Sequence, residues 1–125
     1  MRTPELKQLR ELVMLAGMKE MAAINDVARA SMALKSLETQ IDEVSATPSD
    51  FAFPDYAQYA EKWLLWRQQE RERLNVRKAA LKSEQLVAVA ALGRAMAEHE
   101  VAKKVMARAE TGTKRLKAQR KNYVS

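Results

Sequence analysis

The sequence predicts an all-α protein, an antiparallel two-helix coiled-coil hairpin over residues 1–125 in which the second helix is the longer. Three observations predict it. Alanine fills 21 of the 125 positions, and Leu, Met, Glu, Lys, Gln and Arg make up much of the rest, all strong helix formers. Apolar residues recur at heptad spacing through the first third of the chain. Only one stretch, residues 46–55, carries the prolines and small polar residues that stop a helix.

The first helix is expected over about 4–45. Thr3 and Pro4 are suited to open it, with an N-cap oxygen followed by a ring that pre-sets φ. With Leu6 as position a, the a positions are Leu6, Val13, Glu20, Val27, Leu34 and Ile41. The d positions are Leu9, Ala16, Ala23, Ala30, Leu37 and Val44. Eleven of these twelve are apolar, which is the seam of a coiled coil. The small d residues let a partner helix approach closely.

The corner is expected at 46–55. Pro48 and Pro54 each clash with a preceding helical turn and restrain the residue before them. Phe51 and Phe53 are expected to cap the apolar end of the hairpin, and a binding role for the loop is the alternative. Asp55, three residues before Gln58, resembles a capping box. The second helix then runs from about 56 to 121, with Gly112 between Thr111 and Thr113 as a candidate break. At 1.5 Å per residue it would span about 100 Å against about 60 Å for the first.

A tight corner sets an expected register. If Val44 lies near Gln58, Leu6 lies near Met96 and Lys82 lies near Glu20, the one charged seam residue. The polar stretch Arg67–Lys78 would then face Ala30 and the margin of Ala23, where packing should be poor. From Ala79 to Ala109 the apolar character returns, in Leu81, Leu86, Val87, Val89, Leu92, Met96, Val101, Val105 and Met106.

Composition excludes much chemistry. The chain has no cysteine, one histidine and three glycines. Disulfides, thiolate metal sites, multi-histidine sites and Gly-rich phosphate loops are therefore ruled out. His99 stands between Glu98 and Glu100, and neighbours in sequence do not face each other on a helix. It reads as a solvated or seam histidine. No catalytic, metal or cofactor site is expected, and the chain reads as a non-enzyme. The longest uncharged apolar run, Leu86 to Gly93, falls short of the roughly 20 residues a membrane span needs. No signal peptide is read at the start, and a cytoplasmic location is expected.

The apolar surface exceeds what a hairpin can hide. Leu12, Met14, Leu15, Met18 and Met21 lie off the seam, with Ile24 and Met32 adding to them. A helix apolar nearly all round is normally buried on all sides. Its cover is a third layer, by self-association or a folded-back tail, or a binding face for another protein, for which methionine is well suited. Tyr59, Trp63 and Trp66 fall on one stripe at 3–4 spacing. They either pack on Leu34, Leu37 and Ile41 or serve as interface anchors.

Charge is segregated as well. Residues 1–50 carry 6 basic and 8 acidic side chains, and residues 51–125 carry 16 and 8. The excess sits late, in Lys103, Lys104, Arg108 and the residues from Lys114 to Lys121. Basic residues near a helix C-terminus favour its dipole. A nucleic-acid-binding tail is the alternative, but it lacks interleaved aromatics and a basic fork.

The segment Tyr56-Ala57-Gln58-Tyr59-Ala60-Glu61-Lys62-Trp63-Leu64-Leu65-Trp66-Arg67 resembles the opening of helix 2 in the FliJ/YscO family. These are the stalk proteins of flagellar and type III secretion ATPase complexes. The general plan is similar too: a short cysteine-free chain, a proline corner, a longer charged second helix and a basic end. The resemblance implies an antiparallel coiled coil whose termini-bearing end enters a hexameric secretion ATPase, at the inner-membrane export apparatus. The residues whose own apolar or basic character suits them to grip that ATPase, or else a partner helix, are Leu12, Met14, Leu15, Met18, Met21, Lys103, Lys104 and Arg108. The resemblance also implies an export-gate contact at Tyr59, Trp63 and Trp66. Two tryptophans there, and so apolar a first helix, depart from the family pattern.

Overall fold

The structure is a computed structural model, which describes residues 3–48 and 54–124. It is an all-α hairpin of two helices packed against each other, α1 (Thr3–Ser45) and the longer α2 (Ala57–Val124). Helix α1 ends where the Ala46 N–H donates to both the Asp42 and Glu43 carbonyls, at 3.2 and 3.3 Å. Thr47 and Pro48 then leave the helical path, as a proline requires of the residue before it. The chain re-enters through one 3₁₀ turn, Pro54–Tyr56, that holds Asp55. Phe51 and Phe53, expected to cap the corner, lie outside the described residues.

All twelve a and d positions of α1 are buried or half-buried. Apart from Gly17 and Ser45, every other side chain described on α1 is exposed. Helix α2 is unbroken through Gly112, which keeps a negative φ. The flanking threonines stay helical, and each hydroxyl donates to the carbonyl one turn back: Thr111 to Ala107 at 2.9 Å and Thr113 to Ala109 at 3.0 Å.

The packing divides the chain into two units. The corner unit is Val27–Ala88; the termini unit is Met1–Asp26 with Val89–Ser125. In the corner unit the Gln85 amide donates to Ser31 Oγ at 3.1 Å, and Lys78 Nζ lies 3.7 Å from Glu38. Arg67 Nη1 lies 3.5 Å from the Ser45 carbonyl and 3.4 Å from Thr47 Oγ1. Its guanidinium carbon also stands 4.8 Å from the Trp63 ring centroid, a cation–π contact. One arginine thus fastens the end of α1 to α2.

These pairings correct the expected register, which is displaced by about two heptads. Val44 does not lie near Gln58, because the first turns of α2 run on beyond the end of α1. The charged stretch Arg67–Lys78 faces the Glu38–Thr47 part of the chain, not Ala30 and Ala23. Nor is packing poor there: Leu74, in its middle, is 2% exposed and Leu37 is 3% exposed, the two most buried side chains described. The α2 seam alternates steps of three and four residues except at Glu70, Leu74 and Lys78, where two steps of four follow each other. Such an eleven-residue step accommodates a seam that drifts from strict heptads.

In the termini unit the correction is the same. Glu20 accepts a hydrogen bond from the His99 imidazole, in place of the expected Lys82. His99 is a seam histidine, and Gly17 makes room for it: a Cβ at 17 would lie 3.3 Å from His99 Nε2. Ala23 and Ala95 are buried, as small residues at closely approaching positions should be. Because of the shift, α2 has helix partners well past Met96, and its exposed run begins only at Lys114 and extends through Asn122.

Candidate interaction surfaces

The first surface belongs to the termini unit. Helix α1 sends Leu12, Leu15, Met18 and Ala22 toward one flank, and α2 sends Ala97, Val101 and Ala102 to meet them. Ala16, Lys19 and Glu98 complete a solvent-open groove of about 820 Å³ between the helices. The arrangement follows from the seam. Once Ala95, His99 and Ala102 face α1, Val101 must turn to the side, and Leu12 and Leu15 flank the same seam from the other helix. Leu15 is 54% exposed and Met18 62% exposed. No third layer covers them among the described residues.

The expected site residues do not all share this groove. Leu12, Leu15 and Met18 line it. Met14 and Met21 are exposed but do not line it. Standing seven residues apart, they form their own stripe on α1. Lys103, Lys104 and Arg108 are exposed on α2. Of these, Arg108 lines a shallow neighbouring pocket of about 370 Å³ with Ala107, Thr111, Gly112 and Arg115. From the sequence, Val101 is expected only in the seam, and Ala97 and Ala102 attract no notice. Leu86, Val87, Val89, Met96 and Val105 are expected in the seam as well, and they too are exposed. The missed signal is a spacing of seven: Leu74, Leu81, Ala88, Ala95, Ala102 and Ala109 are all buried or half-buried, and they form the d row of α2.

The second surface belongs to the corner unit. Tyr56 and Tyr59 pack tilted at 49° with centroids 6.3 Å apart. Tyr59 is 55% exposed and Trp66 49% exposed, while Trp63 is half-buried beside Arg67. The structure thus splits the stripe: Trp63 turns to the seam, and Tyr59 and Trp66 face outward beside exposed Leu64 and Leu65. The aromatics precede the α2 residues that meet Leu34, Leu37 and Ile41, so packing on those three is not what holds them. Nearby on α2, Arg73 donates two hydrogen bonds to Glu70 and holds its carboxyl below the ordinary range.

No helix among the described residues is long and apolar enough to cross a membrane. No family model matches the chain, and neither a curated protein nor a solved structure matches it.

Proposed function

We propose that this chain is a non-enzymatic interaction protein, a coiled-coil stalk that docks into a hexameric secretion or flagellar export ATPase. On this reading it works in the cytoplasm, at the export apparatus of the inner membrane. One observation carries the docking part: the apolar surplus of α1 is left uncovered by the chain's own helices, with Leu12, Met14, Leu15, Met18 and Met21 all more than half exposed. Exposed large apolar patches mark interaction surfaces. The hairpin plan, the longer α2 and the resemblance of the Tyr56–Arg67 segment support reading the partner as an export ATPase. The exposed Tyr59 and Trp66, with Trp63 behind them, are the export-gate contact on the same reading, since Trp and Tyr serve as anchors in such interfaces.

The test is stimulation of the cognate export ATPase by the purified chain, with a pull-down alongside. Wild type should bind at micromolar concentration and raise turnover. Met18→Lys with Met21→Lys should abolish both while helix content, followed by circular dichroism, stays unchanged. An ATPase that neither binds nor responds to a verified helical chain overturns the stalk reading.

A further inference from the structure

The termini unit carries the whole net charge of the protein. Residues 1–26 have four basic and four acidic side chains and residues 89–125 nine and three, so this unit stands at +6. Residues 27–88 have nine of each and balance. The groove lies in this unit, and although charges balance close around it, one row of α2 that runs past it is cationic. Arg94, Val101, Arg108 and Arg115 follow one another at intervals of seven, so three guanidinium groups share the face of α2 on which Val101 lines the groove. None of the three is held by a carboxylate among the described residues. Lys19 adds a cation to the groove wall and Glu98 an anion.

We propose that this groove takes one acidic amphipathic helix from a partner protein. Its apolar residues would seat against Leu12, Leu15, Met18 and Val101, and its carboxylates would reach Arg94, Arg108 and Arg115. A trough between two helices, floored by alanines and walled by Leu, Met and Val, presents the anchor spacing by which an amphipathic helix is read. Guanidinium groups in a row bind carboxylates in pairs and exclude a basic competitor. A second copy of this chain is the wrong occupant, because it would bring a +6 unit against a +6 unit. The inference rests on reading the chain as an interaction protein, not on which machine it serves.

The experiment uses the full chain and two labelled peptides of three heptads each. Both have leucine at a and d and alanine at e and g; one carries glutamate at the remaining positions and the other lysine. The acidic peptide should bind, the lysine peptide should not, and binding should weaken as salt rises. Leu15→Glu with Val101→Glu should cost at least about tenfold in affinity. Arg108→Glu with Arg115→Glu should reverse the preference between the peptides. Both variants change exposed positions, and circular dichroism checks that each is folded. Equal binding of the two peptides, or binding of neither, overturns the proposal. So does a chain that sediments as a dimer and is dispersed by the Leu15 and Val101 changes. Acidic-peptide binding that survives those changes overturns the groove and leaves the stalk standing. Peptide binding with no ATPase response supports the groove and removes the stalk.

Discussion

In the corner unit the seam closes on Leu37 and Leu74, and in the termini unit it closes on Ala23 and Ala95 with Leu6. The same heptad rows run through both, but the second places small side chains inside and large ones out. Burying a leucine contributes about 1.5–3 kcal/mol, and an alanine far less. The termini unit therefore gains less from its own closure while presenting Leu12, Leu15, Met18 and Val101 to solvent. The comparison separates two ways of closing a seam that composition cannot separate: the corner unit closes on a pair of leucines, and the termini unit closes on alanines that let its helices approach beside an apolar groove.

The largest expected effect tests the stability side. Leu74→Ala should lower unfolding free energy by about 2–4 kcal/mol in a denaturant titration, whereas Met18→Ala should cost far less. Equal costs would erase the contrast. Next comes the polar pair of the termini unit. Glu20→Ala leaves the half-buried His99 without its partner and should cost about 1 kcal/mol by the same measurement. A neutral outcome would mean that the pair does not hold the register.

Smaller effects sharpen the picture. Gly93 lies within α2, and a methyl added there would meet no other atom within 4 Å. Gly93→Ala should therefore stabilise by about 0.5–1 kcal/mol in thermal melts. Gly17→Ala should gain less, because its new methyl meets the His99 ring at 3.3 Å. Reversal of that order would show that the imidazole yields freely. The smallest effect is Glu70→Gln in the corner unit. Hydrogen bonds from Arg73 hold the Glu70 carboxyl below its ordinary value of 4.5. Its contribution is therefore complete above that value and is lost as pH falls through the lowered one. The stability difference between wild type and variant, followed by melts from neutral to acid pH, should shrink toward zero on acidification.

The two-helix plan and the whole α1 seam were legible in the sequence, because α1 keeps strict heptads from Leu6 to Val44. The α2 seam was not. Its buried rows contain Arg67, Glu70, Lys78, Gln85 and His99, while Leu86, Val89, Met96 and Val105 point outward. A reading that sends apolar residues to the seam must then choose the wrong face. Repeats of seven also make registers displaced by whole heptads nearly alike, and only local polar pairs such as His99 with Glu20 tell them apart. The surplus apolar surface of α1 was visible from counting. The groove was not, since Ala97, Val101 and Ala102 join it only in the observed register.

The exposed run of α2 from Lys114 to Asn122 sets Lys117 within three or four residues of Lys114, Arg120 and Lys121. Like charges at that spacing oppose the coil-to-helix step. The order of that run should therefore respond to anions in the medium, and added polyanion should tighten this stretch before it touches any other part of the molecule.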